Sequence, residues 1–88
     1  MKERRVAVDD GVELYVRHWD GGAEVPVLLL HGLASNCRTW DAVAGRLHGL
    51  GHPVAAVDQR GHGRSDKPDE GYDYETLCRD QEIGRAHV

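Results

Sequence analysis

The 88 residues suffice for one small domain, and at 40% hydrophobic they have the composition of a globular protein. Eleven basic against fifteen acidic residues give a net charge of −4 with no basic stripe to neutralise phosphates, which argues against nucleic acid as a partner. The longest apolar run, residues 25–30, is broken by Pro26 and is far too short to cross a bilayer, so no membrane partner is expected. In chain order, Arg4 to Val8 reads as a short strand ended by the turn Asp9-Asp10-Gly11. Glu13 to Trp19 alternates, with Leu14, Val16 and His18 on one face and Tyr15, Arg17 and Trp19 on the other, which is the period of a strand. The Asp-Gly between the two runs favours a hairpin. A loop over residues 20–24 follows, and then Val27-Leu28-Leu29-Leu30, whose unbroken apolar character suits a strand buried on both faces.

Ser35 or Thr39 is expected to cap the next element, a helix with Trp40, Val43, Ala44, Leu47 and Leu50 on its apolar stripe. Gly49 and Gly51 close it, and Pro53 prevents its continuation. Val54-Ala55-Ala56-Val57 reads as a second buried strand, residues 61–68 as a glycine-rich polar loop, and Tyr74 onward as a helix capped by Asp73 with Leu77 on its apolar face. Strand, helix and strand in this order form a βαβ unit, and the preceding hairpin adds antiparallel strands to the same sheet. The last seven residues, Glu82-Ile83-Gly84-Arg85-Ala86-His87-Val88, place a glycine inside a helix whose apolar stripe has stopped. They also resemble the translation of a sequencing adapter, GAG-ATC-GGA-AGA-GCA-CAC-GTC. Residues 82–88 are therefore read as a non-native tail, and residues 1–81 as the natural portion.

Chemistry is concentrated at the ends of the two buried strands. His31-Gly32 follows the first directly, where substrates of α/β enzymes bind. Gly32 is expected to permit close backbone approach and an unusual φ, leaving the Leu33 N–H facing the cleft. Such an N–H is one of the two donors that hold a developing oxyanion. Asp58-Gln59-Arg60-Gly61-His62-Gly63-Arg64-Ser65-Asp66 follows the second strand. Asp58 is read as a charge that anchors this loop by pairing with Arg60 or Arg64. His31 and His62 follow adjacent strands and are read as loop-ordering hydrogen bonders. Two histidines without a third ligand make a poor zinc site, so no metal is expected. The loop lacks the Gly-Lys-Ser/Thr ending of a phosphate loop, so no nucleotide and no other cofactor is expected. Ser35 and Ser65 lie in no Gly-x-Ser-x-Gly elbow and are read as turn or loop residues. Cys37 reads as a buried helix-entry residue, with a lowered thiol pKa as the alternative. Cys37 and Cys78 form no CxxC pattern and are expected as reduced thiols. With a charged start, Met1 to Arg5, that lacks the apolar stretch of a signal peptide, they point to the cytoplasm.

Residues 12–80, with "VPVLLLHGLASNCRTWDAVAGRLHGLGHPVAAVDQRGHGRSDKP" at their centre, resemble the opening of the α/β-hydrolase superfamily. The resemblance implies the N-terminal part of that fold, a hairpin, a βαβ unit and the start of a further helix, with an incomplete sheet. It makes Leu33 the first oxyanion N–H. His31 and Gly32 would shape its turn, and Asp58, Arg60, Gly61, His62 and Gly63 the loop beside it. It implies a parent hydrolase acting on an ester or related bond of a small molecule through a nucleophile–His–acid triad beyond this chain. No catalytic residue is then expected among these 88, and the piece itself is expected to be inactive. The alternatives are an aspartate nucleophile, giving epoxide or carbon–halogen chemistry, and a non-catalytic ligand-binding member of the fold. The oligomeric state is left open.

Overall fold

In the computed structural model residues 1–8, 11–32 and 35–86 are described, the last three of these by their backbone alone. Four strands form one mixed sheet. β1 (Lys2–Ala7) runs antiparallel to β2 (Glu13–Trp19) with Val6 opposite Leu14. β2 runs antiparallel to β4 (Val54–Val57), and β3 (Val27–Leu30) runs parallel to β4 in the order β1-β2-β4-β3. The ranges of β2, β3 and β4 coincide with those expected from the sequence. Asp9 and Asp10 of the hairpin turn lie outside the described residues. Around them Val8 N–H donates to Val12 O at 2.9 Å and Gly11 takes φ +78°.

The alternation along β2 divides the core into two layers. Leu14 and Val16 join Val6, Val8, Val12, Ala55 and Val57 on one face, with Leu28 and Ile83 packed against them. Tyr15, Cys37 and Ala56 form the other layer with Trp19, Leu29 and Trp40. A 3₁₀ turn, Cys37–Trp40, leads into α1 (Asp41–Gly49), and α2 (Tyr74–Ala86) ends the described chain. Asn36 caps the 3₁₀ turn by accepting from Arg38 N–H at 2.9 Å, in place of the expected Ser35 or Thr39. α1 closes as the sequence predicts: Gly51, at φ +95°, donates to His48 O while His52 N–H reaches back to Leu47 O. Gly84 does not stop α2, which runs on to Ala86.

Two burial expectations fail. β4 is buried along its whole length, but β3 is only half-buried and Leu30 is 41% exposed, because β3 is the edge strand of the sheet. On α1 only Ala44 is buried, while Val43 and Leu50 face outward. No helix among the described residues is long and apolar enough to cross a membrane.

Candidate functional site

β3 and β4 run parallel, so their carboxyl ends deliver residues 31–32 and 58–66 to the same end of the sheet. His31 is 5% exposed and joins the two. Its Nε2 accepts from Gln59 N–H at 2.9 Å, so the proton sits on Nδ1, which donates to Gly32 O at 2.7 Å. The Gln59 side-chain amide donates to His31 O at 2.7 Å. The His62 ring lies 4.9 Å from the His31 ring, centroid to centroid, and its Nδ1 is 3.0 Å from Arg60 O. The expected neighbourhood of the two histidines and their loop-ordering bonds are therefore present.

Leu33, which carries the expected oxyanion N–H, lies outside the described residues. Gly32 differs from expectation. Its φ is not left-handed, and a Cβ built on it meets nothing within 4 Å among the described residues.

Asp58 is 2% exposed and anchors the loop, though not through an arginine side chain. Its Oδ1 accepts from Cys37 N–H at 2.6 Å and its Oδ2 from Arg64 N–H at 2.8 Å. Gly63, at φ +52°, passes so close that a Cβ would stand 2.2 Å from Oδ2. The guanidinium groups go elsewhere. Arg64 lies over the Tyr15 ring at 5.4 Å, and Arg60 runs down to α2, where its Nε and Nη2 donate to Asp80 Oδ2 and Oδ1 at 2.6 and 2.7 Å. Ser65 Oγ donates to Asp58 O and accepts from Tyr15 N–H, and Asp66 exchanges bonds with the Glu13 backbone. The loop is thus laced to β2 on one side and to α2 on the other.

These partners decide which chemistry is open. Both ring nitrogens of His31 are engaged, both oxygens of Asp58 hold backbone N–H groups, and Ser65 Oγ is used twice, so none is arranged as base, acid or nucleophile. Burial pushes the Cys37 thiol up to about 12, reinforced by the Asp58 carboxylate beside it, which removes the lowered-pKa alternative. No group of three or more possible metal ligands occurs among the described residues. Gln59, Asn36 and Asp80 are contributors that the sequence reading missed. Gln59 had a signal in its place between two residues already singled out; Asp80, twenty positions downstream of Arg60, had none.

The family model "Serine aminopeptidase, S33" matches residues 23–83. A non-heme chloroperoxidase of Streptomyces lividans is 35% identical over 75 residues, which is 85% of this chain and 27% of that protein. Among solved structures, an esterase from Exiguobacterium antarcticum superposes with a TM-score of 0.85 at 34% identity, over 94% of this chain and 30% of its own. A bromoperoxidase from Bacillus anthracis gives 0.86 at 29% identity, over 98% and 31%. The chain spans less than a third of the length of each.

Proposed function

Given that the chain belongs to the α/β-hydrolase superfamily, within the S33 serine aminopeptidase family, we propose that it supplies the oxyanion side of a hydrolase active site. The site acts on an ester or related carbonyl bond of a small molecule. The observation that carries this reading is the His31-Gly32 turn, leaving the carboxyl end of β3 and held from β4 by Gln59 and His62. The donor proposed for the developing oxyanion is the Leu33 N–H, the next main-chain amide. Such a donor stabilises the transition state when it lies about 2.7–3.1 Å from the oxyanion. His31, Gly32, Asp58, Arg60, Gly61, His62 and Gly63 hold the frame. Hydrolysis further needs a nucleophile on a strand-to-helix elbow, an acid and a histidine base, and the backbone N–H after the nucleophile gives the second oxyanion donor. The assignments of His31, Asp58 and Ser65 as hydrogen-bonding frame residues support drawing that triad from beyond this chain. A cytoplasmic setting belongs to the same proposal and is supported by two free thiols, Cys37 and Cys78.

The test compares the 88-residue chain with the protein extended through the nucleophile elbow, the acid and the histidine base. The 88 residues should neither hydrolyse p-nitrophenyl acetate above buffer nor take up a fluorophosphonate probe, and the extended protein should do both. Turnover by the 88 residues alone would overturn the assignment. An aspartate at the elbow would move the chemistry to epoxide or carbon–halogen substrates.

A further inference from the structure

Residues 58–66 contain no large apolar side chain, so the loop cannot be seated by hydrophobic burial. Polar bonds place it, and one of them reaches deep into the fold. Arg60 is 1% exposed and Asp80 is 2% exposed, and the guanidinium meets the carboxylate through two short bonds. The chain is moulded around this pair. Gly71, at φ +89°, passes so close to Arg60 that a Cβ would stand 2.2 Å from Nη1, and at Gly61, at φ +79°, a Cβ would stand 2.7 Å from the Tyr72 ring. Arg60 O in turn meets the His62 ring, and that ring lies on His31. A continuous path of contacts therefore runs from Asp80 on α2, through Arg60 and His62, to the turn after β3.

A buried ion pair is a poor means of adding stability, because desolvating two charges offsets most of their attraction. A bidentate carboxylate–guanidinium fork does fix direction and distance. We propose that Asp80 is a positioning residue, which through Arg60 sets the loop after β4 against the His31 turn. The consequence for catalysis rests on the proposed oxyanion reading; the positioning does not.

Hydrogen exchange read by mass spectrometry on the full 88-residue chain separates positioning from stabilisation. Two variants are needed. Asp80→Asn removes the negative charge that the guanidinium fork meets. Arg60→Met with Asp80→Leu replaces the pair by apolar groups, which holds stability while removing the fork. The expected result is that amides in residues 59–66 lose about tenfold or more of their protection in the apolar double variant, while β1, β2 and β4 keep theirs. The His62 ring proton resonance should shift in the same variant. Asp80→Asn should show the local loss, or a general loss that the double variant reverses in the strands but not in the loop. Unchanged protection of residues 59–66 would overturn the proposal. So would restoration of the loop together with the strands by the apolar pair, or unfolding of both variants, since the pair would then be serving the fold as a whole. Exchange is indifferent to chemistry: the local loss in a protein whose extended form lacks hydrolase activity would remove the oxyanion reading and leave the positioning standing.

Discussion

Gly32 and Gly63 look alike in the sequence and differ in the structure. Gly63 is left-handed and lies against the Asp58 carboxylate, so Gly63→Ala sets a strained backbone on top of a clash. The backbone strain alone costs roughly 1–2 kcal/mol, so the total loss of stability should exceed about 2 kcal/mol. Gly32→Ala meets open space at an ordinary φ and should stay within about 0.5 kcal/mol of the parent. Urea midpoints of the two variants check both values. The two thiols give a second prediction at this scale. Cys37 is fully buried with its thiol pushed up to about 12 by burial and by Asp58, whereas Cys78 is exposed. At neutral pH an alkylating reagent should modify Cys78 alone in the native chain, and both cysteines in guanidinium; rapid native labelling of Cys37 would contradict its placement. Asp58 itself was legible as an anchor, but its partners were not. Sequence proximity suggested Arg60 or Arg64 as the counter-charge, and the carboxylate is instead satisfied by two backbone N–H groups, one of them 21 positions upstream.

At the scale of elements, the start of α2 is the clearest case of local information sufficing. Asp73 accepts from Thr76 N–H at 3.0 Å and from Thr76 Oγ1 at 2.7 Å, as the capping pattern predicts. The Thr76 hydroxyl and then its backbone N–H hold the Asp73 carboxyl below its ordinary value of 3.8. A depressed carboxylate contributes stability above the unfolded value and loses it as pH falls through the folded one. Helicity of α2 should therefore hold at pH 5 and fray below about pH 3.8, and Asp73→Asn, which keeps an acceptor but cannot titrate, should flatten that step in far-ultraviolet circular dichroism. The ranges of β2, β3 and β4 were legible because Gly, Pro or Asp punctuates their ends. The half-burial of β3 was not, since it depends on sheet order. A run of four apolar residues is the same whether the strand ends up central, as β4 does, or at the edge.

For the molecule as a whole, the fold class was legible because two motifs stand a helix apart at the ends of two apolar runs, a spacing that parallel pairing of β3 and β4 turns into one site. The long-range polar bonds that hold the site, Gln59 to His31 and Arg60 to Asp80, were not, because nothing in the local pattern says which segments will meet. Residues 82–88 remain proposed as a non-native tail. Ile83 is the one part of it described as packing on the core. Deleting residues 82–88 should then lower stability by about 1 kcal/mol or less, the worth of one partly buried aliphatic side chain, and leave cooperative unfolding intact. Loss of cooperative unfolding would show the segment to be integral to the fold.

The central claim concerns a single main-chain group. Exchanging the Leu33 amide for an ester, by incorporating the α-hydroxy analogue of leucine in the protein extended through its complete nucleophile–acid–histidine triad, deletes that N–H and leaves the side chain unchanged. With p-nitrophenyl acetate, kcat should fall by about 10²–10³ while KM changes little, as for removal of one oxyanion donor. An unchanged kcat would contradict the account.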